Sequence, residues 1–458
     1  MSFKLRAKWV SVQVWKRACL HQRGFFFLVT KLCSLFPVTR LSIRNPSRGI
    51  GTTRKSFSFF LIPILTFLLL STDGCGHSVR KNDPLQLSWD TILKDAHGQT
   101  VRMMMWEGDP AINKYMNNFV KPALKKDFDI NLEISAGQGA QIVSILRSEL
   151  EAGRSTGSID LVWINGATFY QLRQLKALFG PFVSKLPGSK YLDLSDPFVS
   201  EDFQQPIDGY ECPWGTVQFC MITDTSRVPD PPETSQALAN YVKHHPGSFT
   251  FSNDFTGMTF LKSLMISMAP KGALYGPFND SVYSKYSEKL WSYIEQIKPY
   301  LWKHGNSFPS TLGALHQLFE NGEVNFTMSD NDAEVENKVD QGFFPKASKA
   351  FILTTGTIRN SHYIGIPINA PDKEAALAAC NFLISPEAQY EKKIPKNWGD
   401  GTVLDLSKLP GKWRMKFKNL PPRKHALPRD TLRKYALPEL APEYMIRLYD
   451  DFRKKIIE

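Results

Sequence analysis

Ile159-Asp-Leu-Val-Trp-Ile-Asn-Gly166 decides the fold. An apolar run ended by Asn-Gly, a pair that turns readily, reads as a buried strand. Helical spacing continues from Phe169 to Leu178. The same alternation recurs upstream. Val101 to Trp106 is a strand-type run ended by Gly108 and Pro110. Ile112 to Lys125 carries Ile112, Tyr115, Met116, Phe119, Val120 and Leu124 at helical spacing. Asp129 to Ile134 alternates and predicts a second strand. Ala140 to Ala152 predicts a helix with Ile142, Ile145, Leu146 and Leu150 on one stripe. Strand–helix alternation at this length argues for a parallel sheet with helices on its faces.

Downstream, Tyr210 to Thr223 is a longer extended stretch, and Pro229, Pro231 and Pro232 then break the chain. His245 to Ser252 predicts a turn and a strand, and Gly257 opens a helix over Met258 to Met268. Ser281 to Glu320 reads as helical, and Glu323 to Ser329 as a strand ending in the polar loop Asp330-Asn331-Asp332. Ser361 to Ile368 is extended, and Lys373 to Leu383 is helical. Two α/β blocks are thus joined by two extended segments far apart in sequence. The last sixty or so residues read as helical with proline punctuation. The echo His425-Ala-Leu-Pro428 and Tyr435-Ala-Leu-Pro438 is taken as helix-start punctuation.

The chain has 458 residues, 42% apolar and 22% charged, with a net charge of +12. Residues 1–75 hold 12 Lys/Arg and one acidic residue, Asp73, so the remainder carries a net of only +1. The body therefore has no basic field of its own, which argues against a nucleic-acid partner. Phe57 to Leu70 is apolar apart from Ser58 and Thr66, with Arg54 and Lys55 before it. It falls short of the ~20 residues a comfortable span needs and reads as the core of a secretory signal. Gly74-Cys75 resembles a lipobox, though Asp73 and Thr72 are unusual there, so a lipid-anchored and a simply cleaved form stay open. Residues 1–53 are long for a signal and suit either a leader ahead of a downstream start or an organellar transit peptide. The character of the chain beyond residue 75 favours export. Of the remaining cysteines, Cys212, Cys220 and Cys380 show no zinc spacing, and no metal or cofactor is expected. If Cys212 and Cys220 share one extended strand, they lie too far apart to be bridged.

Several phrases resemble the periplasmic solute-binding proteins of ABC transporters, extracellular solute-binding family 1, and more narrowly a group related to thiamine, iron and polyamine binders. They are Trp106-Glu-Gly-Asp109, Ile159 to Gly166, Pro213-Trp-Gly-Thr-Val-Gln218, Pro246-Gly-Ser-Phe-Thr-Phe251 with Phe255-Thr-Gly257, and Asn369-Ala-Pro371 with Ala375-Ala-Leu377. Asn381-Phe-Leu-Ile-Ser-Pro-Glu-Ala-Gln389 is the most specific. The resemblance implies a two-lobed α/β chain of the type II periplasmic-binding fold with crossing hinge strands and ligand between the lobes. Residues 88–218 with 365–395 are then expected in lobe 1 and 219–364 in lobe 2. Residues 396–458 pack on both, 54–75 are the signal and 1–53 the basic leader. It further implies an exported periplasmic or envelope protein, a monomer, working with a permease and an ATPase and touching membrane only through a lipid on Cys75.

Ligands of open α/β sheets sit beyond the carboxyl ends of strands. Trp106 and Glu107 stand at such an end, and an aromatic face plus a carboxylate suits a cation; the alternative is a core-packed Trp with a solvated Glu. Asn165 and Gly166 offer an amide and backbone to ligand, or form a plain turn. Trp214 lies where the chain crosses between lobes, as a cleft wall or a hinge-packing residue. Asp330 and Asn331 are either polar contacts or a solvated loop. Asn360 and His362 precede the return strand, where a structural role is the plainer one for the histidine. Trp398 reads as surface packing ahead of a cleft cap. No GxSxG, HExxH, P-loop or GxGxxG occurs. A non-catalytic binder of a small polar solute is the leading reading, and a secreted hydrolase on a two-lobed scaffold is its rival.

Overall fold

Three short apolar runs become the middle of the larger sheet. β1 (Thr100–Met105), β2 (Asn131–Ala136) and β3 (Leu161–Ile164) lie parallel in the order β2-β1-β3. Thr100 pairs with Asn131, Met105 with Ala136 and Met103 with Leu161. Parallel neighbours need a crossover. The first crossover runs through Pro110–Tyr115, a wider π turn at Met116–Val120, and Lys121–Phe128. Pro122 has no N–H to donate, which accounts for the widened turn just before it. The second crossover contains α1 (Gly139–Glu151). β3 leads into α2 (Gly166–Gln174), whose N-cap is Asn165.

This computed structural model describes residues 83–458, so the leader, the signal segment and Cys75 lie outside the described residues.

A two-residue hairpin, β4 (Glu201–Asp202) with β5 (Gln205–Pro206), precedes the crossing strands. β6 (Glu211–Gln218) is buried at every residue and belongs to the first sheet. Phe219 links it to β7 (Cys220–Asp224), equally buried, which belongs to the second sheet. α3 (Phe255–Ser267) comes next. β8 (Phe326–Ser329), α4 (Glu334–Asp340) and β9 (Ser348–Phe351) complete the smaller lobe, a three-stranded antiparallel sheet in the order β8-β7-β9. β10 (Thr357–Gly365) returns, pairing antiparallel with β3 and with β6 and bulging between His362 and Tyr363. α5 (Lys373–Leu383) and α6 (Pro386–Lys393) then pack on the first sheet. β11 (Ala436–Leu437) adds a short parallel rung beside Thr357-Ile358, and α7 (Pro442–Phe452) ends the chain's regular α-helix. The connections β6–β7 and β9–β10 carry the chain twice between the two sheets, the architecture of a hinge.

Each sheet has its own apolar core. One face of the larger sheet buries Val101, Met103, Met105, Leu377 and Trp398. Its other face buries Ile142, Leu146, Phe169 and Tyr363. The smaller sheet packs Ile222, Phe249, Phe260, Phe326 and, from α7, Tyr444, Leu448 and Phe452. Buried side chains of this size contribute roughly 1.5–3 kcal/mol each, so each lobe has its own drive to fold. Cys212, Cys220 and Cys380 are free and buried. Extended chain separates the first two, as expected.

Several local expectations are corrected. Residues 245–252 form no strand. Phe249 and Phe251 are buried with strand-like alternation, but the backbone oxygens of Ser248 and Phe249 accept from Asn325 and Trp302 rather than from a ladder. The helix after them starts at Phe255, two residues before Gly257, because the Asp254 carboxylate caps it. The helical stretch 281–320 is interrupted, with Lys303 and His304 in the left-handed region. In the echo, Pro428 does precede a helix (Arg429–Lys434), but Ala436-Leu437 becomes β11 and the last helix starts only at Pro442.

Candidate functional site

β3, the crossing strands β6 and β10, and the loop after α6 converge on an aromatic cluster. Trp163 on β3 meets Trp214 on β6 edge to face, with ring centres 5.1 Å apart, and His362 on β10 at 4.9 Å. Trp398 stacks on His362 at 5.6 Å and meets Trp214 at 5.3 Å. Trp214 and Trp398 are fully buried and their indole N–H groups find no acceptor, while Trp163 and His362 stay partly exposed. A charged pair underlies the cluster. The Lys392 ammonium donates to Asp400 at 2.6 Å, to the Gly401 carbonyl at 2.8 Å and to the Trp214 carbonyl. Burial alone raises a carboxyl, but Lys392 and His362 outweigh it and hold Asp400 down to about 2. The pair fixes the loop that carries Trp398.

The residues expected at a site take up different roles. Trp106 is partly buried against the first core, and its ring fills the space beside Gly108. Glu107 is half-buried, and its carbonyl accepts from the Asn113 side chain. Asn165 caps α2, its side-chain oxygen accepting from the Thr168 N–H and hydroxyl at 3.3 and 3.2 Å. The plain turn is thus a helix cap. Gly166 is buried against the Phe203 ring. Trp214 sits at the floor of the aromatic cluster. Asn360 donates from its amide to Glu439 at 3.3 Å and accepts from the Ser361 N–H, on the hinge strand rather than at a strand end. Trp398, expected on the surface, is instead wholly buried, because Lys392 and Asp400 draw its loop inward.

The second lobe presents a polar edge. Asp330 accepts from the Thr256 hydroxyl at 2.6 Å. Burial first, with help from Asp254 and Glu439, pushes its carboxyl up to about 7. The Asn331 side chain accepts from the Ala333 N–H and leaves its amide nitrogen buried without an acceptor. Two ties join this edge to the first lobe. Asn337 donates to the Trp398 carbonyl, and Lys338 stands 3.6 Å from Asp109 and 3.4 Å from Glu334. Burial and Glu334 push Asp109 up to about 6. On the other flank Lys262 of α3 pairs with Glu439 and lies 4.2 Å over the Phe203 ring. The structure brings Trp106, Glu107 and Asn165 to the strand ends of one lobe and Asp330 and Asn331 to the facing edge of the other. Trp163, Lys338, Glu334 and Lys262 were not singled out in the sequence. Trp163 sits inside the run Ile159–Gly166, and its place next to the strand end was the available signal.

Chemically, the arrangement offers flat aromatic faces, several carboxylates, the lysines Lys338 and Lys262 and a histidine across a seam that two strands allow to open. Among the described residues no group of three His, Cys, Asp or Glu is placed to hold a metal ion, and no helix is long and apolar enough to cross a membrane.

Residues 119–416 match the family described as bacterial extracellular solute-binding protein. The chain belongs to that family. It is 37% identical over 340 residues to Protein YnjB of Escherichia coli K12, covering 73% of this chain and 87% of that protein. This solute-binding protein also shares its two-lobed fold with solved structures of low identity. A putative spermidine/putrescine ABC transporter protein from Listeria monocytogenes superposes with a TM-score of 0.54 at 15% identity, covering 77% of this chain and 98% of that one. The periplasmic binding protein AfuA from Actinobacillus pleuropneumoniae, with fructose-6-phosphate bound, gives 0.54 at 10% identity, covering 78% and 98%. The first of these is named for polyamines and the second holds a sugar phosphate, so the fold alone does not set the charge of the solute.

Proposed function

We propose that the protein captures a small polar solute between Trp106, Glu107, Trp163 and Asn165 of the first lobe and Asp330 and Asn331 of the second. It closes by flexing β6–β7 and β9–β10 and delivers the solute unaltered to an ABC permease whose ATPase does the work. The observation that carries this is the aromatic cluster at the strand ends, facing an acidic edge across the Lys338–Asp109 and Asn337–Trp398 ties. Glu107, Asp109, Asp330, Glu334 and Glu439 outnumber Lys338 and Lys262 there, which favours a solute with a cationic group. An aromatic face contributes about 0.5–2 kcal/mol to holding such a group. In this reading the protein is exported, acts as a monomer, carries a lipid on Cys75 if anchored at all, and does no chemistry.

The test is native mass spectrometry of protein taken from the envelope of its own host. The expected result is a one-to-one small-molecule adduct that is released on denaturation and rebinds chemically intact. A guest that returns covalently changed would favour the hydrolase reading. A protein that carries and rebinds nothing removes the capture role.

A further inference from the structure

A cavity lies behind the loop that carries Trp398, where that loop meets Asp332 and Ala333 of the second lobe. It has a volume of about 330 Å³ and is lined by Lys393, Arg423 and Arg429 together with Pro395, Pro422 and Pro428. In the Trp398 loop, Gly401 bonds both ways through its backbone with Thr216 of β6, and Arg429 donates to the Gly399 carbonyl at 3.4 Å. Three cationic side chains thus meet in one pocket. Arg423 pairs with Asp332, but its Nη2 is buried with no acceptor. Among the described residues, no carboxylate stands within ion-pair distance of Lys393 or Arg429, though Asp332 and Asp400 attract both from further off. The neighbouring Asp400 is already committed to Lys392. The pocket therefore gathers more basic than acidic groups, with Asp332 alone set against Arg423, Arg429 and Lys393.

Holding like charges together in a partly buried place is costly, and these side chains show it. Burial and then the facing guanidiniums push the Lys393 ammonium well below the ordinary lysine range. Burial likewise brings Arg429 down to about 10. Guanidinium groups match the oxygens of phosphate in pairs, and a lysine adds a point charge. The volume is at the small end of ligand pockets.

We propose that this pocket binds a dianionic phosphate group, on residues other than those proposed to hold the solute. Lys393 closes a helix packed on the first lobe, whereas the backbone N–H groups of Lys424, His425 and Ala426 donate to Glu336 of α4 in the second. A bound phosphate adds a tie between the lobes at the hinge.

The test is calorimetric titration of the full chain with inorganic phosphate at constant ionic strength, with chloride as the control, beside thermal unfolding. Wild type is expected to bind phosphate saturably at one site, with a rise in the unfolding midpoint. Lys393→Met is expected to weaken phosphate on the order of ten-fold or more, the worth of one charge-assisted hydrogen bond. Lys393→Arg retains binding, as does Asp330→Asn in the cleft. Phenyl phosphate binding more tightly than inorganic phosphate identifies an ester as the occupant, and equal affinity identifies the free ion. Absence of saturable phosphate binding to wild type overturns the proposal. So does unchanged affinity in folded Lys393→Met and Arg429→Gln, or loss of binding in Asp330→Asn.

Discussion

Asp330 is kept in its place by one short hydrogen bond from Thr256 and by burial that penalises its charge. Its folded-state value of about 7 lies above the ordinary carboxyl value of the unfolded chain, about 4. The protonated form is therefore favoured by folding. Its contribution is fully present below pH ~4 and is lost as pH rises through about 7. Asp330→Asn keeps an acceptor for Thr256 and removes the titration. The variant is expected to be more stable than wild type at pH 8 by about 2 kcal/mol, a full shift of roughly 1.4 kcal/mol per unit being discounted for water reaching a half-buried group. Below pH 4 the two are expected to match. Urea unfolding at both pH values measures it, and equal stability at pH 8 would show that Asp330 is not strained by its site. A stability gain paired with loss of solute binding is the expected trade at a functional residue. At this scale the sequence was partly readable. Trp106, Asn165 and Asp330 come directly after apolar runs and announce themselves as strand ends. Lys392, Asp400 and Trp398 do not, because their meeting with Trp214 depends on a loop folding onto a strand almost two hundred residues away in sequence.

The strands β1 to β3 were read to within two residues, since they are continuous apolar runs bounded by Gly, Pro and Asn, whereas the helix after β3 was read three to four residues late, as Phe169–Leu178 rather than Gly166–Gln174, and β10 starts four residues before Ser361. Lys373–Leu383 was read without error. The misreadings cluster where tertiary bonds replace local ones. Residues 249–252 alternate like a strand but are held by distant loops and by α3's first turn. The close approach of that segment depends on Gly257, where an added Cβ would stand 1.6 Å from the Ser252 carbonyl oxygen. That atom is backbone and cannot swing aside. Gly257→Ala is therefore expected to destabilise the second lobe by at least about 2 kcal/mol, the scale of an overpacked core. Ala introduced at Gly313, where an added Cβ would meet only the Thr311 hydroxyl at 3.9 Å, is the control. A denaturation midpoint equal to wild type for Gly257→Ala would mean that the segment and the helix are not held together as described.

Among the described residues, two cores are joined by strands that are themselves buried, and polar ties such as Lys338–Asp109, Asn337–Trp398 and Gly276–Gln204 run between the lobes. This is the construction expected of hinge closure, in which each lobe moves as a body and the crossing strands absorb the change. The nearly neutral body, once the basic leader is set aside, fits a protein that selects its guest by local contacts. What no linear reading could supply is which loops of one lobe face which loops of the other, because that depends on where the strands cross. Hydrogen exchange with and without the co-purified solute tests capture across the cleft most directly. Capture predicts that solute slows exchange together at 106–109 and 165–168 in the first lobe and at 330–338 in the second. Protection confined to one lobe, or appearing only outside these segments, would contradict it.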